Sequence, residues 1–221
     1  MNRTITKSML ATILGFACML VSCQSPRPIT KHPPGTLPVR YEEATTYSAC
    51  LVASVAMASN YLLDRTKFST DGTLQEMKQA GLDETRVGDV KRYLAGQDLY
   101  LVTLTGTIDG KPPTGLNYWL TTRGYPVICV INHEGENPAF NHAVVVIGIS
   151  ANLEEGSTDR IHYFDPSAEE PLQSVDRATF EPLWSRGQHA MMIVVMPASK
   201  PPAASASNPA GNNDAQTGFS K

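Results

Sequence analysis

The stretch CLVASVAMASNYLL, residues 50–63, decides the fold of this 221-residue chain. It is rich in alanine, the strongest helix former, and apolar residues occupy most sides of the helical wheel. A helix that is apolar on most sides lies inside a domain and not on its surface. We therefore expect a helix that is buried in the domain.

Further helices and then strands are expected after this segment. Residues Thr73 to Glu76 have the pattern of a capping box that opens a second helix, which Gly81 closes. Two more helices are expected at residues 87–94 and 116–122. Runs of β-forming residues follow at 99–104, 126–131, 143–149, 161–164 and 191–195. The predicted class is α+β, with helices packed against a mostly antiparallel sheet.

The first 23 residues have the features of a bacterial lipoprotein signal. A short cationic segment precedes an apolar run, residues 9–21, that is too short to span a bilayer comfortably. The run ends in Leu-Val-Ser-Cys, which resembles a lipobox, so residues 1–22 are predicted to be removed and Cys23 to be lipidated. An ordinary signal with a chance cysteine is the alternative. Under Gram-negative sorting rules, Gln24 favours the outer membrane, facing the periplasm.

Composition limits the rest of the chain. Residues 23–40 are Pro-rich and polar, as in a lipidated tether, and residues 198–221 are expected to be disordered. Residues 41–197 remain, enough for one domain with a core. The 18 basic and 21 acidic residues give no basic footprint for nucleic acid, whereas the bilayer is an expected partner through the acyl chains.

Cys50 lies where a polar stretch turns into the buried helix. Unpaired N–H groups and the helix dipole at that position favour a thiolate, the form that attacks a carbonyl carbon. The alternative is that Cys50 is a small core residue, which is the interpretation we favour for Cys129 in its strand. A single disulfide between the two cysteines stays open.

His142 and Asp165 are the candidate partners of this thiol. His142 opens the apolar strand NHAVVVIGI, and Asp165 ends the next strand in the sequence YFDP. Each has an ordinary structural explanation, as a surface histidine and as an Asp-Pro turn. Together with Cys50 they match a catalytic triad of nucleophile, base and orienting carboxylate.

The motifs CLVASVAMASNYL, GYPVI, NHAVVVIGI and YFDP resemble, in order and spacing, the papain-like cysteine peptidases that process bacteriocin leaders after a double glycine. The resemblance covers residues 45 to about 195 and implies a papain-like fold without a cofactor. It implies that Cys50 is the nucleophile, His142 the general base and acid, and Asp165 the group that fixes the imidazole tautomer.

The neighbourhood of Cys50 departs from the family pattern. Cys-Leu-Val replaces Cys-Gly-Pro, and the glutamine that supplies an oxyanion-hole donor is missing upstream, where Ala44 and Thr45 stand. Loss of one such donor typically slows turnover by about 100 to 1000-fold. Thr45, Thr46 and Tyr47 are the candidate replacements, beside the backbone N–H of Cys50.

The remaining candidates are weaker. His133, His162 and His189 lack partners at metal-ligand spacing, so no metal site is expected. Glu134 and Glu136 are interpreted as a solvated loop with a role at the cleft rim as the alternative. The two tryptophans, Trp119 and Trp184, are expected to pack in the core or over the cleft.

The functional hypothesis is a membrane-anchored cysteine peptidase acting on a peptide or protein substrate. The chain carries neither a transporter segment nor an ATP-binding motif, so it would act alone or beside separate secretion or transporter subunits. Two alternatives stay open. One is a degenerate peptidase kept as a peptide-binding or assembly lipoprotein, and the other is a cell-wall amidase or acyltransferase with the same triad.

Overall fold

The computed structural model describes residues 31–133, 141–150 and 159–197. Helix α1 spans Cys50–Leu63 and confirms the prediction of a buried helix, since its first eleven residues are all buried. Its end at Asp64 adopts a left-handed conformation, φ 50°, with the N–H of this residue bonded to the carbonyls of Asn60 and Tyr61.

Two further helices precede the sheet, α2 at Thr70–Gln79 and α3 at Val87–Ala95. The predicted start of α2 at Thr73 is wrong. Ser69 has an extended backbone and its hydroxyl accepts the N–H of Gly72, so Ser69 is the N-cap, and Thr73 already donates its N–H to the Ser69 carbonyl. Gly81 follows α2 with φ +67°, as its predicted role at the helix end requires.

In the described part of the chain, six antiparallel strands form one sheet in the order β1-β6-β2-β3-β4-β5. Five of them lie within a residue of their predicted positions, whereas β5 was not predicted. The strands are β1 Tyr100–Thr105, β2 Val127–Ile131, β3 His142–Ser150, β4 Arg160–Phe164, β5 Leu172–Asp176 and β6 Ala190–Val195. A short π-helical segment, Tyr118–Thr122, occupies the place of the helix predicted at 116–122.

Both faces of the sheet are covered. Helices α1 to α3 pack on one face, and the other face is covered by the π-helical segment and by helix α4, Arg177–Arg186, which was not predicted. Phe180 and Trp184 of α4 are fully buried against this second face. Since strand side chains alternate between faces, every central strand contributes to two hydrophobic cores.

The segment before α1 packs on the sheet earlier than the predicted domain start at residue 41. Leu37 donates its N–H to the Ile147 carbonyl at 2.8 Å, and Val39 is 1% exposed. Thr36 lies against Gly148, where a β-bulge interrupts the pairing of β3 with β4. Residues 36–40, which we assigned to the tether, are therefore part of the domain.

The predicted signal at residues 1–22, Cys23 and the tail at 198–221 lie outside the described residues. Within the described ranges, no helix has the length and apolar character needed to cross a membrane.

Candidate active site

Cys50 opens helix α1 directly after a short 3-10 turn, Tyr47–Ala49. Cys50 is 8% exposed and belongs to the first core, yet it also lines a cleft that opens to solvent. The structure places it at the N-terminal end of a 14-residue helix, where the helix dipole favours negative charge.

His142 is the first residue of β3, which packs against α1. The two elements are joined by Ser54, one helical turn after Cys50, whose buried hydroxyl donates to the Ala143 carbonyl at 3.2 Å. Because Ala143 follows His142, this bond fixes the base relative to the nucleophile. The imidazole, with 11% of its side chain exposed, lies beside Cys50, and its interaction with the thiol lowers the pKa of Cys50.

Asp165 follows the end of β4 and holds the other side of the imidazole. The distance from its Oδ1 to Nε2 of His142 is 2.7 Å. The same oxygen accepts the N–H of Ser167 at 2.9 Å, which fixes the carboxylate in an Asx turn. Because Nε2 is bound by Asp165, Nδ1 is the nitrogen that faces Cys50. The structure therefore brings together the three residues that the sequence singled out.

The charges of these groups support one another. Burial works against a charged thiol, but hydrogen bonds from His142 and from the backbone of Ala143 and Leu51 hold the pKa of Cys50 below its usual value. Burial also opposes charge on the imidazole, yet hydrogen bonds and charge interactions with Asp165 and Cys50 raise the pKa of His142 to about 9. The arrangement favours a thiolate–imidazolium pair near neutral pH.

The three oxyanion-hole candidates have different surroundings. Thr45 donates its hydroxyl to Asp71, and Thr46 shares a hydrogen bond with Ser48. Tyr47 is 64% exposed and lines the cleft beside Cys50, and is the one of the three that does so. Ser48 also lines the cleft, and sequence reasoning missed it because a lone serine before a helix carries no distinctive signal.

A cleft of about 480 Å³ lies beside the thiol, a size typical of small-ligand sites. The 3-10 turn, α1, the α2–α3 connection and three strands of the sheet all contribute to its walls. The residues that line it are Tyr47, Ser48, Cys50, Leu51, Thr85, Val87, Val130, Asn141, His142, Ala143 and Met192.

The other cysteine and the other histidines lie outside this cleft. Cys129 is fully buried in the second core, where burial raises its thiol pKa, and it is a free thiol like Cys50. His162 shares a hydrogen bond with Ser150. His189 bonds Glu181 at 2.9 Å. Among the described residues, no group of three His, Cys, Asp or Glu side chains is arranged to hold a metal ion.

The remaining candidates also have definite places. Trp184 is fully buried in the second core, and Trp119 donates its indole N–H to the Pro113 carbonyl. Both tryptophans lie away from the residues that line the cleft. Glu134 and Glu136, the candidate cleft-rim residues, lie outside the described residues.

Comparison with known proteins places this site in a family. Residues 36–191 match the family described as the Peptidase_C39 like family. The chain belongs to this family. The match begins at the residues that open the packed domain and contains Cys50, His142 and Asp165. No curated protein matches the chain.

Solved structures of two peptidase domains are similar to this member of the Peptidase_C39 like family. The peptidase domain of Streptococcus ComA, a bi-functional ABC transporter involved in quorum sensing, has a TM-score of 0.50 and 10% identity, covering 71% of this chain and 98% of that one. A double glycine motif protease from an AMS/PCAT transporter, solved in complex with its leader peptide, has a TM-score of 0.49 and 16% identity, with 77% and 98% covered. The family match and the ComA domain confirm the papain-like α+β fold.

Proposed function

We propose that this protein is a membrane-anchored cysteine peptidase that cleaves peptide bonds through Cys50, His142 and Asp165. The observation that carries the proposal is the imidazole of His142, which lines the same cleft as Cys50 and lies 2.7 Å from the Asp165 carboxylate. Membership of the Peptidase_C39 like family supports a peptidase. The membrane anchor rests on the lipobox and Cys23 alone.

The arrangement suits a two-step acyl transfer. The Cys50 thiolate attacks the carbonyl carbon of the peptide, and the imidazolium of His142 gives its Nδ1 proton to the leaving amine. The same nitrogen then takes a proton from water, whose oxygen attacks the thioester and releases the acid. Asp165 keeps Nε2 protonated throughout, so that Nδ1 is the nitrogen that exchanges protons.

The negative charge on the attacked carbonyl oxygen needs hydrogen-bond donors. The backbone N–H of Cys50 is one proposed donor. Of the three predicted side-chain candidates, Tyr47 is the one that lines the cleft, and we propose it as the second donor. Thr45 is bonded to Asp71 and does not line the cleft. Thr46, which shares its hydroxyl with Ser48, does not line it either.

The proposed partners are a peptide or protein substrate and the bilayer, reached through the acyl chains on Cys23. We propose separate secretion or transporter subunits as further partners. We propose the periplasmic side of the outer membrane as its location, on the basis of Gln24 in the signal region.

Thiol labelling tests the proposed ion pair. The full chain in detergent is treated with iodoacetamide across a range of pH and followed by intact mass, beside Cys50→Ser, Cys129→Ser and His142→Ala. We expect rapid labelling of Cys50 at about pH 6, below the pKa of a free thiol, and a sharp decrease without His142. Cys129→Ser is the control and should leave the rate unchanged. Labelling no faster than that of a free thiol would exclude the peptidase.

A degenerate, peptide-binding protein is the second candidate. It is favoured by one observation, the missing glutamine upstream of Cys50, where Ala44 instead bonds the Pro166 carbonyl through its N–H. Digestion of a diverse peptide library, with Cys50→Ala as the blank, separates the two. New peptide ends that appear with the wild type alone identify the enzyme, whereas peptides retained without cleavage identify the binding protein.

A further inference from the structure

The cleft beside the candidate nucleophile has aliphatic walls. Leu51 comes from α1, Val130 from β2, Ala143 from β3 and Met192 from β6, and Val87 at the start of α3 closes the side opposite the sheet. Five aliphatic side chains from five different elements therefore converge on one space next to the thiol.

The polar groups of the cleft are neutral except for the catalytic pair. In the part of the chain that the structure describes, the other polar lining residues are Tyr47, Ser48, Thr85 and Asn141. The carboxylate of Glu84 accepts the hydroxyl of Ser48 at 3.2 Å and is not itself a lining group. A charged substrate side chain would lose its water in this cleft without gaining an opposite charge other than the catalytic pair, which is costly.

The wall formed by the α2–α3 connection is held in place before any substrate binds. Oδ1 of Asp83 accepts both the N–H and the hydroxyl of Thr85, at 2.9 and 2.6 Å. The N–H of Asp83 in turn donates to Asp89 at 3.0 Å, and Ser48 joins the connection to the turn before Cys50 through Glu84. The pocket is therefore preformed, which lowers the cost of ordering it on binding.

The size of the cleft also argues against a substrate that presents only glycine. At about 480 Å³ it holds side chains as well as backbone. A glycine would leave the aliphatic walls without atoms to contact, and those dispersion contacts would be lost. An aliphatic side chain fills the space and removes its own apolar surface from water.

We propose that this cleft is a specificity pocket for an aliphatic side chain, of leucine, isoleucine or methionine, on a substrate residue next to the cleaved bond, and that Val87 sets its preference. The proposal rests on the proposed peptidase function and adds its substrate class. Val87 is the residue to change because it is half-buried on α3, whereas Met192 is buried in the sheet.

A charge at position 87 tests the proposal. The wild type, Val87→Glu and the matched control Val102→Glu digest the same diverse peptide library, and mass spectrometry gives the residues around each cut. Val102 is exposed on β1 and is absent from the cleft lining. Glutamate at the first position of a helix is favourable, so Val87→Glu should fold.

For the wild type, we expect leucine, isoleucine and methionine to exceed glycine and lysine by about tenfold or more at one position beside the cut. Val87→Glu should reverse the preference towards lysine and arginine there, and Val102→Glu should keep the wild-type profile. A preference for glycine, or an aliphatic preference that Val87→Glu leaves unchanged, would overturn the pocket while leaving the peptidase intact.

A second measurement tests the pocket if the protein does not cleave peptides. The same library is passed over immobilised Cys50→Ala protein, with and without Val87→Glu. Retained peptides rich in aliphatic residues, and lost in Val87→Glu, would support the pocket although the peptidase had failed. No retention, or retention without an aliphatic excess, would overturn the pocket as well.

Discussion

Replacing Asp165 by asparagine should remove the charge behind His142 and keep its geometry. Both hydrogen bonds to the carboxylate fall on one oxygen, Oδ1, from Nε2 of His142 at 2.7 Å and from the N–H of Ser167 at 2.9 Å. A carboxamide oxygen can accept both bonds, although each is weaker without the charge of the carboxylate. The imidazole should therefore keep its orientation and lose only the neighbouring negative charge.

The pKa of His142 sets the size of the effect. Burial lowers this pKa, but Asp165 and Cys50 together raise it to about 9. Against an ordinary value of about 6.5, that rise corresponds to roughly 3 kcal/mol in favour of the imidazolium. If Asp165 supplies about half, Asp165→Asn should lower the pKa of His142 by about 1 unit, so that near pH 8 the imidazolium fraction falls from about nine-tenths to about half.

Two assays measure the charge state of the Cys50–His142 pair. The NMR titration of the His142 ring gives its pKa, and the iodoacetamide rate at fixed pH gives the thiolate fraction of Cys50. Asp109→Asn is the matched control, since Asp109 is an exposed partner of Arg177 outside the cleft. An unchanged His142 titration in Asp165→Asn would refute the argument that this carboxylate holds the charged imidazole.

The same variant should change stability only in a limited pH range. The raised pKa of His142 contributes stability that is fully present below about 6.5 and is lost as the pH rises through about 9. The lowered pKa of Asp165 contributes stability that is present above its ordinary range and is lost as the pH falls through its value in the folded state. The Tm difference between wild type and Asp165→Asn should be largest near pH 6 and shrink on both sides.

Two other predictions concern positions that hold the site in place. Ser54→Ala leaves the buried Ala143 carbonyl without its side-chain donor, so it should cost about 1–3 kcal/mol in chemical denaturation and slow Cys50 labelling. In the control Ser59→Ala, the buried hydroxyl has no hydrogen-bond partner among the described residues, so its loss should have little effect on either measurement. Gly187→Ala would place a methyl group onto the β2 backbone and should therefore lower the Tm. Gly88 lies in α3 with open space around it, so Gly88→Ala should not lower the Tm, and the better helix propensity of alanine stabilises the helix by about 1 kcal/mol.

The three residues of the proposed triad could be predicted because each lies at the end of a strongly patterned element. Cys50 begins a helix that is buried over its first eleven residues, and His142 begins a strand whose next six residues are buried. Asp165 directly follows the last residue of a strand and precedes a proline. Helix and strand periodicity indicated roughly where these elements end, and the resemblance to the peptidase family then singled out the three residues.

The second face of the sheet could not be predicted in the same way. Strand β5, LQSVD, is half-buried along its length and shows no clear alternation. Helix α4 contains Pro182, and a proline ordinarily marks a helix boundary, so the sequence pattern argues against a helix here. The helix forms nevertheless, with Asp176 as its N-cap, whose carboxylate accepts the N–H of Thr179 at 2.7 Å. Phe180 and Trp184 become core residues only because the sheet offers them a face, which is a tertiary effect.

The oxyanion region and the carboxylate of the proposed triad belong to one structural unit, which the sequence does not reveal. The Pro166 carbonyl accepts the hydroxyl of Tyr41 at 3.1 Å and the N–H of Ala44 at 2.8 Å. The segment leading to Tyr47 is thus bound to the turn that carries Asp165. Because Ala44 has no polar side chain, this segment can supply the oxyanion hole only through the residues that follow it. A substitution that removes the Tyr41 hydroxyl should therefore lower the turnover rate and shift the pKa of His142 together.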